Sequence, residues 1–209
     1  MDLSDFAAVS GKRHTSAYAR DMAKALLIVD IQNDFTEGGA LGVDGGDRVA
    51  EEVTRFVDTH ADDYDAIIAS RDWHDAGSDN GGHFSQNPDF VDTWPEHCVA
   101  DTEGAAYDSL LAAEAITHHV RKGQGTPDYS AFQGTTDTGE RLGDLLTDLT
   151  ITEVDVVGIA TDHCVRATVL DALKNGLSVR VLQDLIAGVG KDSSTLALAE
   201  MDAAGATIA

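Results

Sequence analysis

The chain has 209 residues, 43% of them apolar and 24% charged, a balance that suits one globular domain with a single sizeable core. Its 37 acidic and 14 basic residues give a formal charge of −23. Such a surface repels nucleic acid and anionic membranes, which sets both aside as partners.

The acidic residues are spread along the chain, and the lysines are only Lys12, Lys24, Lys122, Lys174 and Lys191. This pattern suits a halophilic habitat, where concentrated salt screens the self-repulsion. Two cysteines, Cys98 and Cys164, make no disulfide scaffold at this size, so a reducing cytoplasm is expected. No apolar run approaches the roughly 18 residues of a membrane span, and the N-terminus lacks the apolar core of a signal peptide. Residues 1–22 carry no clear period and read as an N-terminal extension, with Met22 an alternative start. Residues 23–209 read as one domain. A homo-oligomer is compatible with the sequence, which does not set the subunit count.

In chain order, Ala25–Val29 is a continuous apolar run ending in Asp30, the mark of a strand buried on both faces of a parallel sheet. Asp47–Thr59 places Val49, Val53, Phe56 and Val57 at helical spacing. Ala66–Ala69 is a second buried strand. Ser70–Thr102 has no period and is rich in Gly, Asp, Asn and His; its aromatic residues Trp73, Phe84, Phe90 and Trp94 mark it as an ordered functional loop. A short helix is predicted over Ala106–Ala113 and a strand over Thr117–Val120. After the loop Gly123–Thr136 comes a helix with a capping signal at Thr138 and an apolar face of Leu142, Leu145, Leu146 and Leu149. Strand 154–159, helix 163–175, strand Ser178–Leu182, helix 192–204 and a last strand near Ala206–Ile208 complete the alternation. The fold class is therefore α/β: three layers, with a mostly parallel sheet of about six strands flanked by helices. Sites in such sheets lie at the carboxyl ends of the strands, where Asp30, Arg71-Asp72, Lys122 and Gly158–Cys164 all fall.

The groups at those strand ends suit acyl transfer. Cys164 sits between an apolar strand and an amphipathic helix, so its sulfur faces the N–H groups and positive dipole end of the helix, which favour thiolate. An isolated cysteine there is more often a small buried residue; its companions change that reading. Asp30 is placed to act as base, Lys122 to hold the ion pair and depress the thiol pKa, and the N–H groups of Ala160 and Cys164 to receive an oxyanion. A second group, Asp72, His74, His83 and His97, gathers one carboxylate and three imidazoles in one loop. That donor set suits one divalent transition metal ion (zinc, manganese or iron), with water completing the shell, and it lacks the cysteine pairs of a structural zinc site. The metal-binding loop is read as 71–104.

Val29-Asp30-Ile31-Gln32-Asn33-Asp34-Phe35 with Gly38-Gly39-Ala40-Leu41, Arg71-Asp72-Trp73-His74, His83-Phe84-Ser85, Trp94–Val99, Lys122-Gly123 and Gly158–Arg166 resemble, in order, the motifs of nicotinamidases (pyrazinamidases) within the isochorismatase-like cysteine hydrolases. The likeness covers nearly everything from Ala25 onward. It implies an isochorismatase-like, Rossmann-like fold and hydrolysis of nicotinamide to nicotinate and ammonia for NAD salvage. It further implies a triad of Asp30, Lys122 and Cys164, and metal ligands Asp72, His74, His97 and His83. The same resemblance implies a cis peptide between Ile159 and Ala160 at the oxyanion hole, and a substrate pocket of Phe35, Trp94, Tyr129, Ile159 and His163. The connection Asp75–Gly82 is longer than in several family members, which leaves Asp79 or a water as an alternative to His83. Cys98 reads as a packing residue. The competing readings are another isochorismatase-like amidohydrolase acting on a different small amide, a non-catalytic relative, and a redox sensor with Cys98 as the resolving thiol.

Overall fold

In a computed structural model of the chain, which describes residues 23–209, the apolar runs form the middle of one sheet. Strands β1 (Lys24–Val29), β2 (Ala66–Asp72), β3 (His118–Lys122), β5 (Glu153–Ile159), β6 (Ser178–Ala187) and β7 (Thr207–Ile208) run parallel, and β4 (Thr135–Thr136) pairs antiparallel to β3 at one edge. The order is β4-β3-β2-β1-β5-β6-β7. The sheet thus has seven strands rather than about six; the addition is the two-residue β4, too short to leave a periodic signal. The expected extension, residues 1–22, lies outside the described residues.

Helix α1 (Gly46–His60) buries Val49, Ala50, Val53 and Val57 on one face of the sheet. Helices α2 (Leu142–Asp148), α3 (Arg166–Lys174) and α4 (Lys191–Ala204) cover the other face, where Leu142, Leu145, Leu146, Val169 and Met201 meet the β1 and β5 side chains. Each such Leu or Val removed from water contributes about 1.5–3 kcal/mol, so both layers are held chiefly by apolar burial.

Several local expectations are corrected by tertiary contacts. No helix forms over Ala106–Ala113: Tyr107 bridges to Gln32, the Asp108 N–H donates to Ile31 O, and only a 3-10 turn, Ala113–Ala115, remains. Thr138 caps nothing. Its hydroxyl pairs with Thr136 in the β4 turn, and α2 starts four residues after it at Leu142 behind Arg141. The helix expected from residue 163 is preceded by a π-helical turn, Thr161–Val165, and α3 begins at Arg166. Strand β6 continues past Leu182 to Ala187, through a register shift against β5 at Val156/Gly158.

This architecture brings the reactive groups to one end. Asp72 and Lys122 are the last residues of neighbouring strands and are paired in register; Asp30 follows β1, and the Cys164 turn follows β5. Gly158, at φ +118°, is where β5 passes closest to β1: a Cβ there would lie 2.1 Å from Val29 O. Only glycine permits that approach just before the turn that carries the cysteine.

Candidate active site

Asp30, Lys122 and Cys164 converge in a buried cluster. Lys122 Nζ lies 2.9 Å from Asp30 Oδ2 and 3.6 Å from Cys164 Sγ, and also pairs with Asp72 Oδ1. Ser70 Oγ donates to Asp30 Oδ1 at 2.6 Å. The side chain of Gln32 ties the strand ends together: it donates to the carbonyls of Asp72 and Ala105 and accepts the Asp72 N–H.

Burial would lower the Lys122 pKa, but Asp30 and Asp72 outweigh it and hold the ammonium charged. Burial raises the Asp30 carboxyl above its usual value against the pull of Lys122. For Asp72 the balance reverses: desolvation is overcome by the Lys122 ammonium, which keeps the carboxyl well below the usual carboxylate range. Burial also pushes the Cys164 thiol well up, with Lys122 opposing. This direction runs against the expected depression of the thiol pKa: the Lys122 charge is already shared between two carboxylates and does not offset desolvation of the sulfur.

The histidines are delivered by the long loop, which two isolated β-bridges organise. His74 pairs with Val99, which brings it beside His97, and Phe84 pairs with Trp94, which turns His83 inward. His74 Nδ1 donates to Gly123 O at 2.9 Å and His97 Nδ1 to Pro95 O at 2.8 Å, so each ring turns an unprotonated Nε2 toward Asp72 Oδ2, at 3.7 and 3.9 Å. His74 Nε2 and His83 Nδ1 are buried without a protein partner, and ligand atoms of His74, His83 and His97 lie within 4.8 Å of one another. Buried lone pairs converging beside a carboxylate, with the far ring nitrogens fixed by carbonyls, fit a divalent metal ion. Burial, together with the neighbouring His97 and His74, lowers the His83 pKa to about 4, which favours a neutral imidazole. Asp79 is exposed, and its carboxylate accepts the Gly81 N–H.

Between the two clusters opens a cavity of about 310 Å³, its floor formed by Cys164, Ala160 and Asp72. Phe35, Trp94, Tyr129 and His163 form walls: Trp94 Nε1 donates to Tyr129 Oη at 2.9 Å, and the Tyr129 and His163 rings are inclined by only 24°. Ile159 is buried in the core on the α1 side of the sheet and contributes no wall; the peptide joining it to Ala160, which does line the cavity, is cis. Cys98 is buried, its N–H held by Asp34 Oδ2, and no disulfide joins the cysteines. Sequence reasoning missed Gln32, Ser70 and Asp162, whose carboxylate accepts the Val189 and Gly190 N–H groups and so anchors the cysteine turn to α4. Only Gln32 and Asp162 lie inside quoted motifs, and their partners are distant in the chain.

A parallel α/β sheet that delivers a cysteine, a lysine and an aspartate to a cavity beside a histidine cluster defines a cysteine-centred α/β hydrolase. The chain belongs to the isochorismatase family: the family model described as Isochorismatase domain matches residues 24–209. The chain is 47% identical over 178 residues to the nicotinamidase/pyrazinamidase of Mycobacterium tuberculosis, across 85% of this chain and 94% of that protein. It is similar to the crystal structure of the pyrazinamidase of Pyrococcus horikoshii in complex with zinc (35% identity, TM-score 0.74, 89% of this chain and 98% of that chain). It is also similar to that of PnC1 from L. infantum in complex with nicotinate (32% identity, TM-score 0.76, 90% and 92%). Among the described residues no helix is long and apolar enough to cross a membrane.

Proposed function

We propose that this protein is a nicotinamidase that converts nicotinamide and water to nicotinate and ammonia. The observation that carries the reading is the Asp30–Lys122–Cys164 cluster at the floor of an aromatic cavity sized for a small planar amide. The relatives named above act on or bind this class of compound.

The chemistry follows from the charges. Cys164 starts as a thiol, and Asp30, made more basic by burial, takes its proton as sulfur attacks the carboxamide carbon. The N–H groups of Ala160 and Cys164 receive the oxyanion. Collapse breaks the C–N bond, and the leaving nitrogen takes the proton from Asp30 and departs as ammonia. Water then adds to the thioester carbonyl and gives a proton to Asp30. Cleavage of the C–S bond returns that proton to the sulfur and releases the acid. Lys122 stays charged throughout and holds Asp30 in place. Asp72, His74, His83 and His97 would hold one divalent metal ion, whose Lewis acidity orients a ring nitrogen or polarises a bound water. Phe35, Trp94, Tyr129 and His163 enclose the ring. Two free cysteines fit a reducing cytoplasm, and the acidic surface fits concentrated salt.

The test is ammonia release from nicotinamide by metal-replete protein at high and low salt, with Cys164→Ala as the comparison. Wild type is expected to turn over and the variant to be inactive. No turnover by wild type in high salt sinks the reading.

A further inference from the structure

The eight residues between His74 and His83 include no helix or strand, and Asp75–Asp79 are all exposed. Gly77, Gly81 and Gly82 all adopt positive φ. Such a segment has little apolar burial to order it, yet it must deliver a buried imidazole. Asn80 is the exception within it. It is fully buried and sits at φ +48°, a left-handed conformation that Asn tolerates better than most residues. Its Oδ1 accepts the N–H groups of Asp75 (2.9 Å) and Gly125 (3.1 Å), and its Nδ2 donates to the carbonyls of Asp75 and Ser78 at 3.2 Å each. The Asn80 carbonyl faces the His83 N–H at 3.4 Å.

The Gly125 contact reaches outside the segment, onto the loop that follows Lys122. Gly81 packs against the same loop so closely that a Cβ would lie 3.1 Å from Pro127 Cδ and 3.2 Å from Gly125 O. His74 is seated on that loop too, through Gly123 O. One platform therefore holds His74 directly and His83 through Asn80.

We propose that Asn80 is a positioning residue for the metal centre: its side chain closes the 75–80 turn and pins it to Gly125, which fixes His83 opposite His74 and His97. The inference rests on the metal reading given under Proposed function. Without Asn80 the imidazole is presented by a glycine-rich loop that samples many geometries, and the ordering cost falls on metal binding.

The test is zinc binding to the full chain, measured by competition with a chromophoric chelator, with Asn80→Gly as the variant because glycine keeps the left-handed backbone. The zinc dissociation constant is expected to rise roughly ten- to a hundredfold, in line with loss of a supporting contact to a ligand. The metal-free variant should still unfold cooperatively, with a loss of stability smaller than the loss of zinc affinity, and saturating zinc should restore turnover. In a His83→Ala background, Asn80→Gly should weaken zinc no further. The proposal is overturned by wild-type zinc affinity in Asn80→Gly, by an equal loss in the His83→Ala background, or by a loss that tracks a general fall in metal-free stability. Wild-type protein that takes up no zinc refutes the metal reading itself, a result distinct from any of these.

Discussion

Asp72 divides its carboxylate between the two halves of the site: Oδ1 pairs with Lys122 Nζ, while Oδ2 faces His74 and His97. One side chain thereby sets the charge seen by Cys164 and by the histidine cluster.

Asp72→Asn should accordingly disturb both. Loss of the anionic ligand is expected to weaken metal binding by roughly ten- to a hundredfold. Lys122 then keeps Asp30 as its sole carboxylate, so kcat should fall even when metal is saturating. Elemental analysis beside steady-state kinetics checks this, and a normal kcat in metal-saturated Asp72→Asn would separate the two halves.

The acid limb of activity should report Asp30. The carboxylate must be ionised to accept the thiol proton, so kcat/KM falls as pH falls through its folded pKa. Burial raises that value, which places the limb above the ordinary carboxylate pKa of about 4. Ser70 donates to the ionised form; in Ser70→Ala the limb should move to higher pH by about one unit, the size of a charge-assisted hydrogen bond. A pH–rate profile of the variant that is unmoved, or moved downward, contradicts the assignment.

Trp94 closes the cavity and is held by its hydrogen bond to Tyr129 and its edge contact with His163, with centroids 5.1 Å apart. Trp94→Ala should raise KM for nicotinamide by about tenfold, the worth of one aromatic contact, with a smaller change in kcat. Trp94→Phe should recover most of the binding. Equal losses in kcat and kcat/KM would instead assign Trp94 to the chemical step.

The charge of −23 predicts self-repulsion that salt relieves. The unfolding temperature should rise steadily from dilute to molar potassium chloride at constant pH. A flat response would show that the acidic groups are far enough apart in water to be nearly neutral in stability.

The motifs around Asp30, Asp72, Lys122 and Cys164 are readable because each is a short run at or just after the end of a strand, where backbone direction decides which way a residue points. Asp30, Asp72, Lys122 and Cys164 were found this way, and the long aromatic loop betrayed itself by composition. Local pattern failed where distant backbone intervened. The stretch Ala106–Ala113 has helical spacing, but Ile31 and Gln32 capture its polar groups. Asn80 carries no local signal, since its acceptor role depends on Gly125, 45 positions away.

By itself the sequence determined the α/β class, the alternation of the main strands and helices and the residue types at the strand ends, because hydrophobic periodicity and turn chemistry are local properties of the chain. The upward shift of the Cys164 thiol, the exclusion of Ile159 from the cavity and the sharing of Asp72 were decided only by the tertiary structure. Those depend on desolvation and on charge separations of a few ångströms between segments far apart in the chain, and electrostatic energy at such distances changes too steeply for a linear pattern to encode it.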